Sequence, residues 1–171
     1  MKKAIIVCGA PGGGKSTYGK RLAEEMGAAF IDIDASTERL VQVGLKLSGK
    51  DASDRDSSFF KENFRRQIYE QMFDIALDNL AAVDVVLAGP FTKEILDPEW
   101  PQLLKCRLGT SVEVHYIRCS PEVRRRRMES RGNLRDASKL QDWEKYIEYY
   151  GDEQLPSFPH VVVENDNEIE V

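Results

Sequence analysis

The densest chemical signal in the chain is Gly9-Ala10-Pro11-Gly12-Gly13-Gly14-Lys15-Ser16. It matches G-x-x-x-x-G-K-[ST] at every position. A polyphosphate can lie against main chain only where side chains are absent, and Gly9, Gly12, Gly13 and Gly14 remove them. Successive N–H groups can then turn inward as an anion-binding nest. A helix beginning at Lys15, with Thr17 in its first turn, adds the partial positive charge of its N-terminus. In such a loop Lys15 bridges the β- and γ-phosphates and the Ser16 hydroxyl ligates Mg²⁺. These residue types point to a nucleoside triphosphate.

Two further groups carry chemistry. Asp32 and Asp34 end the apolar run Ala29-Phe30-Ile31-Asp32-Ile33. In extended backbone a spacing of two puts both carboxylates on one side. At the carboxyl end of a parallel strand they face the active edge of the sheet. They read as a general base and a ligand to a Mg²⁺-bound water. The competing reading is that Asp34 or Ser36 caps a helix starting near Thr37. The other group is basic: Arg124, Arg127 and Arg131 recur at i, i+3 and i+7, and Arg135 follows Gly132. Guanidinium groups aimed at one place suit a transferring phosphoryl, whose charge spreads over its oxygens. A solvated basic face paired with nearby acids is the alternative. Arg65 and Arg66 are read as solvated, with one of them pointing into the substrate cleft as the alternative, and Thr92 and Lys93 as either substrate contacts or a cap and a surface lysine. His115 and His160 lack a nucleophile signature nearby and are read as structural.

One absence is informative. Asp84-Val85-Val86-Leu87-Ala88 reads as a strand, but its carboxyl end is Ala88-Gly89, with the acid at the opposite end. Motor-type ATPases carry an acid there. Mg²⁺ would then rest on Ser16, phosphates, waters and one of the paired aspartates.

The elements that must position these groups follow from periodicity. Lys3 to Cys8 is a short, β-branched apolar run, a buried strand. Lys15 to Met26 is a helix with Tyr18, Leu22 and Met26 on one face. A short helix covers 36–47, and a polar loop covers 48–58. A long helix from Phe59 to Leu80 carries the core stripe Phe60, Phe64, Ile68, Met72 and Ile75. A short helix after Trp100 stops at Gly109, and Val112–Arg118 is a fourth strand. Ser120 and Pro121 open the arginine helix as N-cap and first position. Ser138 to Tyr150 is a further helix burying Leu140, Trp143, Ile147 and Tyr150. His160–Val163 is a fifth strand, after which Glu164 to Asn167 turns away. Alternating strands and helices predict a parallel sheet.

The 171 residues suit one domain. A net charge of −5 argues against a general nucleic-acid binder. No apolar run approaches a membrane span. The segment after Lys2 and Lys3 is too short for a secretory signal. Cys8, Cys106 and Cys119 lack metal-ligand spacing, so they read as reduced thiols of a cytoplasmic protein.

With these pieces placed, the chain resembles the small P-loop kinases. These include gluconate, shikimate and adenylate kinases, polynucleotide kinase and chloramphenicol phosphotransferase. The nearest likeness is to AAA_33-type ATP-binding proteins. The resemblance implies a three-layer α/β/α sandwich, with a five-stranded parallel sheet of order 2-3-1-4-5. It implies a helical lid over about 124–138 and an acceptor-binding region over about 36–66. It implies ATP and Mg²⁺, with transfer to a hydroxyl of a small molecule or nucleoside. Asp34 would take the acceptor proton, with Asp32 as the alternative. Arg127, Arg131 and Arg124 would serve the lid, and Asn165 would lie near the adenine. The alternatives are a polynucleotide 5′-hydroxyl kinase, for which no basic run outside the lid speaks, and a nucleotide-sensing regulatory ATPase.

Overall fold

Strand β1 (Lys3–Cys8) lies in the middle of the sheet, as its unbroken apolar run requires. In the computed structural model, which describes residues 2–151 and 155–166, four further strands flank it. They are β2 (Ala29–Asp32), β3 (Val85–Ala88), β4 (Ser111–Arg118) and β5 (Val161–Glu164). All pairings are parallel and the order is β2-β3-β1-β4-β5, as the resemblance implied.

Helices cover both faces. Ile5 and Val7 join Val86, Ala88 and Ile117 under helix α1 (Lys15–Met26). Ala4, Ile6 and Cys8 point the other way, onto α4 (Arg65–Leu80) and α5 (Trp100–Leu108). Burial on both faces explains why β1 and β3 show no polar alternation. Parallel pairing also brings the carboxyl ends together: Asp32 lies beside Ala88, and Ala88 beside Val7. The phosphate loop leaves β1 at that same edge.

Three local expectations need correction. β2 ends at Asp32, and α2 (Ile33–Leu47) starts at once. Asp32 is the N-cap in extended geometry (φ −100°, ψ 130°), and its carboxylate accepts from the backbone N–H groups of Asp34 and Ala35. Asp34 therefore sits in the first turn of a helix, and the two acids do not share an extended strand. A capping carboxylate neutralises helix N–H groups that otherwise lack partners, so the sequence Asp-Ile-Asp converts strand to helix without a loop.

The helix expected from Phe59 to Leu80 is broken. Helix α3 (Ser58–Asn63) ends at Phe64, where φ is −113°, and α4 resumes at Arg65. The stripe serves two cores. Phe60, Phe64 and Ile68 pack with Val41 and Leu45 of α2 in a satellite cluster, whereas Met72 lies in the main core. The break lets one amphipathic run serve both.

The helix expected over Ser138–Tyr150 divides at Asp142 into α7 (Ala137–Gln141) and α8 (Trp143–Tyr150). Asp142 accepts from Lys145 N–H and restarts the helix. Tyr146, absent from the expected buried set, is the buried residue of α8.

Other expectations hold. Ser120 and Pro121 open α6 (Pro121–Arg131), and Gly132 stops it in left-handed geometry. The Ser120 side chain makes no cap bond, and Asp166 Oδ1 accepts from the Ser120 N–H instead. His115 is buried between Tyr18 and Glu113. The cysteines are free thiols, and burial raises Cys8 to about 12. Asn167 lies outside the described residues. No helix among the described residues is long and apolar enough to cross a membrane.

Candidate active site

The phosphate loop is held from three sides. Tyr146 of α8 donates its hydroxyl to Pro11 O at 2.8 Å. Asn165, just after β5, donates Nδ2–H to Gly13 O at 2.7 Å. Arg127 of α6 donates to Gly13 O at 3.2 Å and to Asn165 O at 2.9 Å. This crowding explains two glycines. Gly12 has φ +82°, and a Cβ there would stand 2.8 Å from Arg124 O. Gly14 has φ +93°, and its Cβ would meet Asn165 Nδ2 at 2.4 Å. Only glycine satisfies both the dihedral and the space.

Lys15, at the start of α1, folds back so that Nζ donates to Ala10 O at 2.9 Å. Burial lowers its ammonium from 10.5 to about 8, against which the charge of Asp34 is the largest counterweight. A cation held short of its full hydration, bonded to the backbone oxygen of Ala10, is poised for a phosphate. Arg131 acts on Lys15 in the opposite sense, which puts both cations around one space.

Ser16 and Asp32, both expected at the metal, meet directly. Ser16 Oγ–H donates to Asp32 Oδ2 at 2.5 Å, while Oδ1 caps α2. One hydroxyl and one carboxylate are few protein ligands, and no cluster of three His, Cys, Asp or Glu among the described residues could hold a metal alone. The pair nevertheless fits Mg²⁺, which keeps waters and takes phosphate oxygens.

Asp34 faces the segment that follows α6. Arg135, in a 3₁₀ turn (Leu134–Asp136), meets Asp34 Oδ1 at 2.5 Å. Two more ion pairs tie neighbouring groups of the same region: Lys139 to Asp56 at 3.6 Å, and Arg55 to Glu38 at 2.9 Å. The segment that follows α6 is thus tied to α2 at Asp34 and to the loop after α2 at Asp56. Nothing in the local sequence around Arg135 marks it as the partner of an acid so far upstream.

The arginines of α6, spaced to share a face, take different partners. Arg127 braces the loop. Arg131 is bidentate to Asp136 at 2.6 and 2.8 Å, and Asp136 is buried. Arg124, expected at the nucleotide, is placed behind the phosphate loop. It is fully buried, donates to Tyr150 O at 3.0 Å and lies 5.4 Å from the Tyr146 ring centre. Its Nε and Nη2 have no hydrogen-bond partner among the described residues, and the aromatic face supplies part of the compensation. A guanidinium sealed between α6 and α8 supports the loop from behind. Arg65 is likewise not simply solvated: it bonds Thr92 and Glu94, each at 3.2 Å.

The residues missed in the sequence were Tyr146 and the Asp34–Arg135 pair. The stacked Trp143–Tyr146 rings, spaced i, i+3, were the one available signal for the former.

Comparison with known proteins agrees with this architecture. A shikimate kinase from Mycobacterium ulcerans (strain Agy99) is 39% identical over 75 residues, 44% of this chain and 36% of the relative. The match thus spans little more than a third of that relative's length. A solved structure from Chloroflexus aurantiacus has a TM-score of 0.68 at 18% identity, covering 99% of this chain and 91% of the other. A gluconokinase from Sinorhizobium meliloti 1021 has a TM-score of 0.54 at 22% identity, covering 97% and 84%. At such identities the likeness establishes the fold. A family model described as an AAA domain (AAA_33) matches residues 5–150, a span that holds the phosphate loop, both aspartates and the arginine helix, and the chain belongs to that family.

Proposed function

We propose that the protein is an ATP-dependent, Mg²⁺-requiring phosphotransferase that moves the γ-phosphate of ATP to a hydroxyl of a small molecule. The observation that carries this reading is the setting of Asp34. It is the strongest acidic influence on Lys15, and its side chain remains 43% exposed beside Arg135. The sheet offers no acid after β3 to activate water, because that end is Ala88-Gly89. That absence supports a base placed on the acceptor side. The shikimate and gluconate kinases among the similar proteins are named for small hydroxylated acceptors, which supports the same class here.

In this reading Lys15 and the loop amides hold the β- and γ-phosphates. Ser16 and Asp32 hold Mg²⁺, which neutralises phosphate charge when bound. Asp34 orients the acceptor hydroxyl and takes its proton as the new O–P bond forms and ADP leaves. Arg127 and Arg131 neutralise the transferring group, Arg131 by exchanging Asp136 for phosphate oxygens. Asn165 lies beside the base of the nucleotide. The lid excludes water, which would otherwise compete with the acceptor. The free thiols suit a cytoplasmic setting.

ADP release is measured against pools of sugars, nucleosides, aminoglycosides and 5′-hydroxyl oligonucleotides. At least one small-molecule pool should raise it above the rate in water. If none does, the regulatory-ATPase reading replaces this one. Asp34→Asn should lower transfer by roughly 10²–10⁴-fold while leaving ATP affinity nearly intact. Lost ATP binding would reassign Asp34 to the nucleotide or the metal.

A further inference from the structure

A groove of about 420 Å³ lies between α4 and α5, in the helix layer on the opposite side of the sheet from α1. None of its lining residues belongs to the site built on Lys15, Asp32 and Asp34. Its apolar lining is aromatic and aliphatic: Tyr69, Phe73, Trp100 and Leu104. At the lip Leu103 is 58% exposed, which is apolar surface left in water.

The rim carries five cations against two carboxylates, in a chain whose net charge is −5. Two of the cations are committed. Arg65 pairs with Glu94, and Arg107 pairs with Glu70 at 2.8 Å while lying over the Phe73 ring. Lys61, Arg66 and Lys93 are exposed and form no ion pair with a described residue. They come from α3, α4 and the loop after β3, so the fold brings Lys93 to the other two. Exposed cations on a convex surface are ordinarily solvated. Here they ring a concavity with an apolar lining, of a volume typical for small-molecule sites.

We infer that this groove binds a small organic anion. Its acid, a carboxylate or phosphate ester, would set against Lys61, Arg66 and Lys93, and its flat apolar body against Trp100 and Leu103. Lys93 belongs to the loop that leaves β3 at the catalytic edge. Such an anion can therefore be either the far end of the phosphoryl acceptor or a separate effector.

The chain has two tryptophans, so Trp143→Phe leaves Trp100 as the single indole emitter. That protein is titrated with 4-nitrobenzoate and with its neutral counterpart 4-nitrobenzyl alcohol. The anion should quench Trp100 saturably, at least ten times more tightly than the alcohol. Arg66→Glu with Lys93→Glu should weaken it at least tenfold, and Lys15→Ala should leave it unchanged. Equal, non-saturating quenching by both compounds would overturn the inference. Loss of quenching on Lys15→Ala would also overturn it, by putting the anion on the phosphate loop. Displacement by a single-stranded oligonucleotide, with affinity falling steeply in salt, would replace a small anion by nucleic acid. With an acceptor in hand, competitive inhibition by 4-nitrobenzoate identifies the groove as part of the acceptor site, and a change in kcat alone identifies an effector site. Binding at Trp100 is read without turnover, so it can succeed or fail independently of the kinase reading.

Discussion

Replacing Lys15 by Met should raise the stability of the ligand-free protein while removing its hold on phosphate. Burial brings the Lys15 ammonium from 10.5 to about 8. At 1.36 kcal/mol per pKa unit, that difference corresponds to about 3 kcal/mol against the charged form. Lys15 is only half-buried, so water screens part of it. Met also forfeits the Nζ–H bond to Ala10 O, worth about 1 kcal/mol. The net gain should be about 1 kcal/mol at pH 7, or roughly 2–4 °C in Tm for a chain of this size. The folded-state pKa lies below the unfolded one, so the penalty is fully present below about 8 and fades as pH rises toward 10.5. Thermal melts of both proteins at pH 7 and pH 10 should show the difference narrowing. The same titration governs nucleotide binding. Free Lys15 is about nine-tenths charged at pH 7 and only about one part in thirty at pH 9.5. ATP affinity, measured by calorimetry, should fall about thirtyfold over that interval, with proton uptake on binding. A Lys15→Met protein that melts lower at pH 7, or an affinity flat across the interval, would refute the argument.

Three other perturbations test the site's construction. Gly14→Ala places a methyl against Asn165 Nδ2 at a left-handed backbone position. It should cost about 1–3 kcal/mol and abolish ATP binding, and adding Asn165→Ala should restore part of the stability but not the strain, as read by thermal melts. Asp136→Asn removes the buried partner of Arg131 and should destabilise the fold by about 2 kcal/mol, because Arg131 is partly exposed. Hydrogen exchange should rise over α7 and the preceding turn; unchanged protection there would count against the pairing. Arg135→Ala frees Asp34 from its half-exposed ion pair at a cost of about 1 kcal/mol or less. It should loosen the lid, seen as a rise in ATP hydrolysis without acceptor; an unaltered water rate would mean that Arg135 does not guard the site.

Much of the fold was legible because its signals are local. The loop glycines, the β-branched runs and the stops at Gly109 and Gly132 each act within a few residues of main chain. The acid missing after β3 was equally readable, since strand ends follow from the hydrophobic pattern. The paired aspartates were found as chemistry but misjudged as geometry. Whether Asp32 continues a strand or caps a helix depends on N–H groups that need a partner only once α2 forms.

What the sequence by itself determined is the donor half of the site: a phosphate loop on a buried parallel strand, with its lysine and serine in fixed relation to it. The tertiary structure alone decided the rest. Arg135 met Asp34, Tyr146 locked Pro11, Arg124 was sealed beneath the loop, and Lys93 joined Lys61 and Arg66 around Trp100. Main-chain hydrogen bonding carries order over about one helical turn, so it can specify a loop. Long flexible side chains choose partners by proximity in space, and that exists only after the layers have packed.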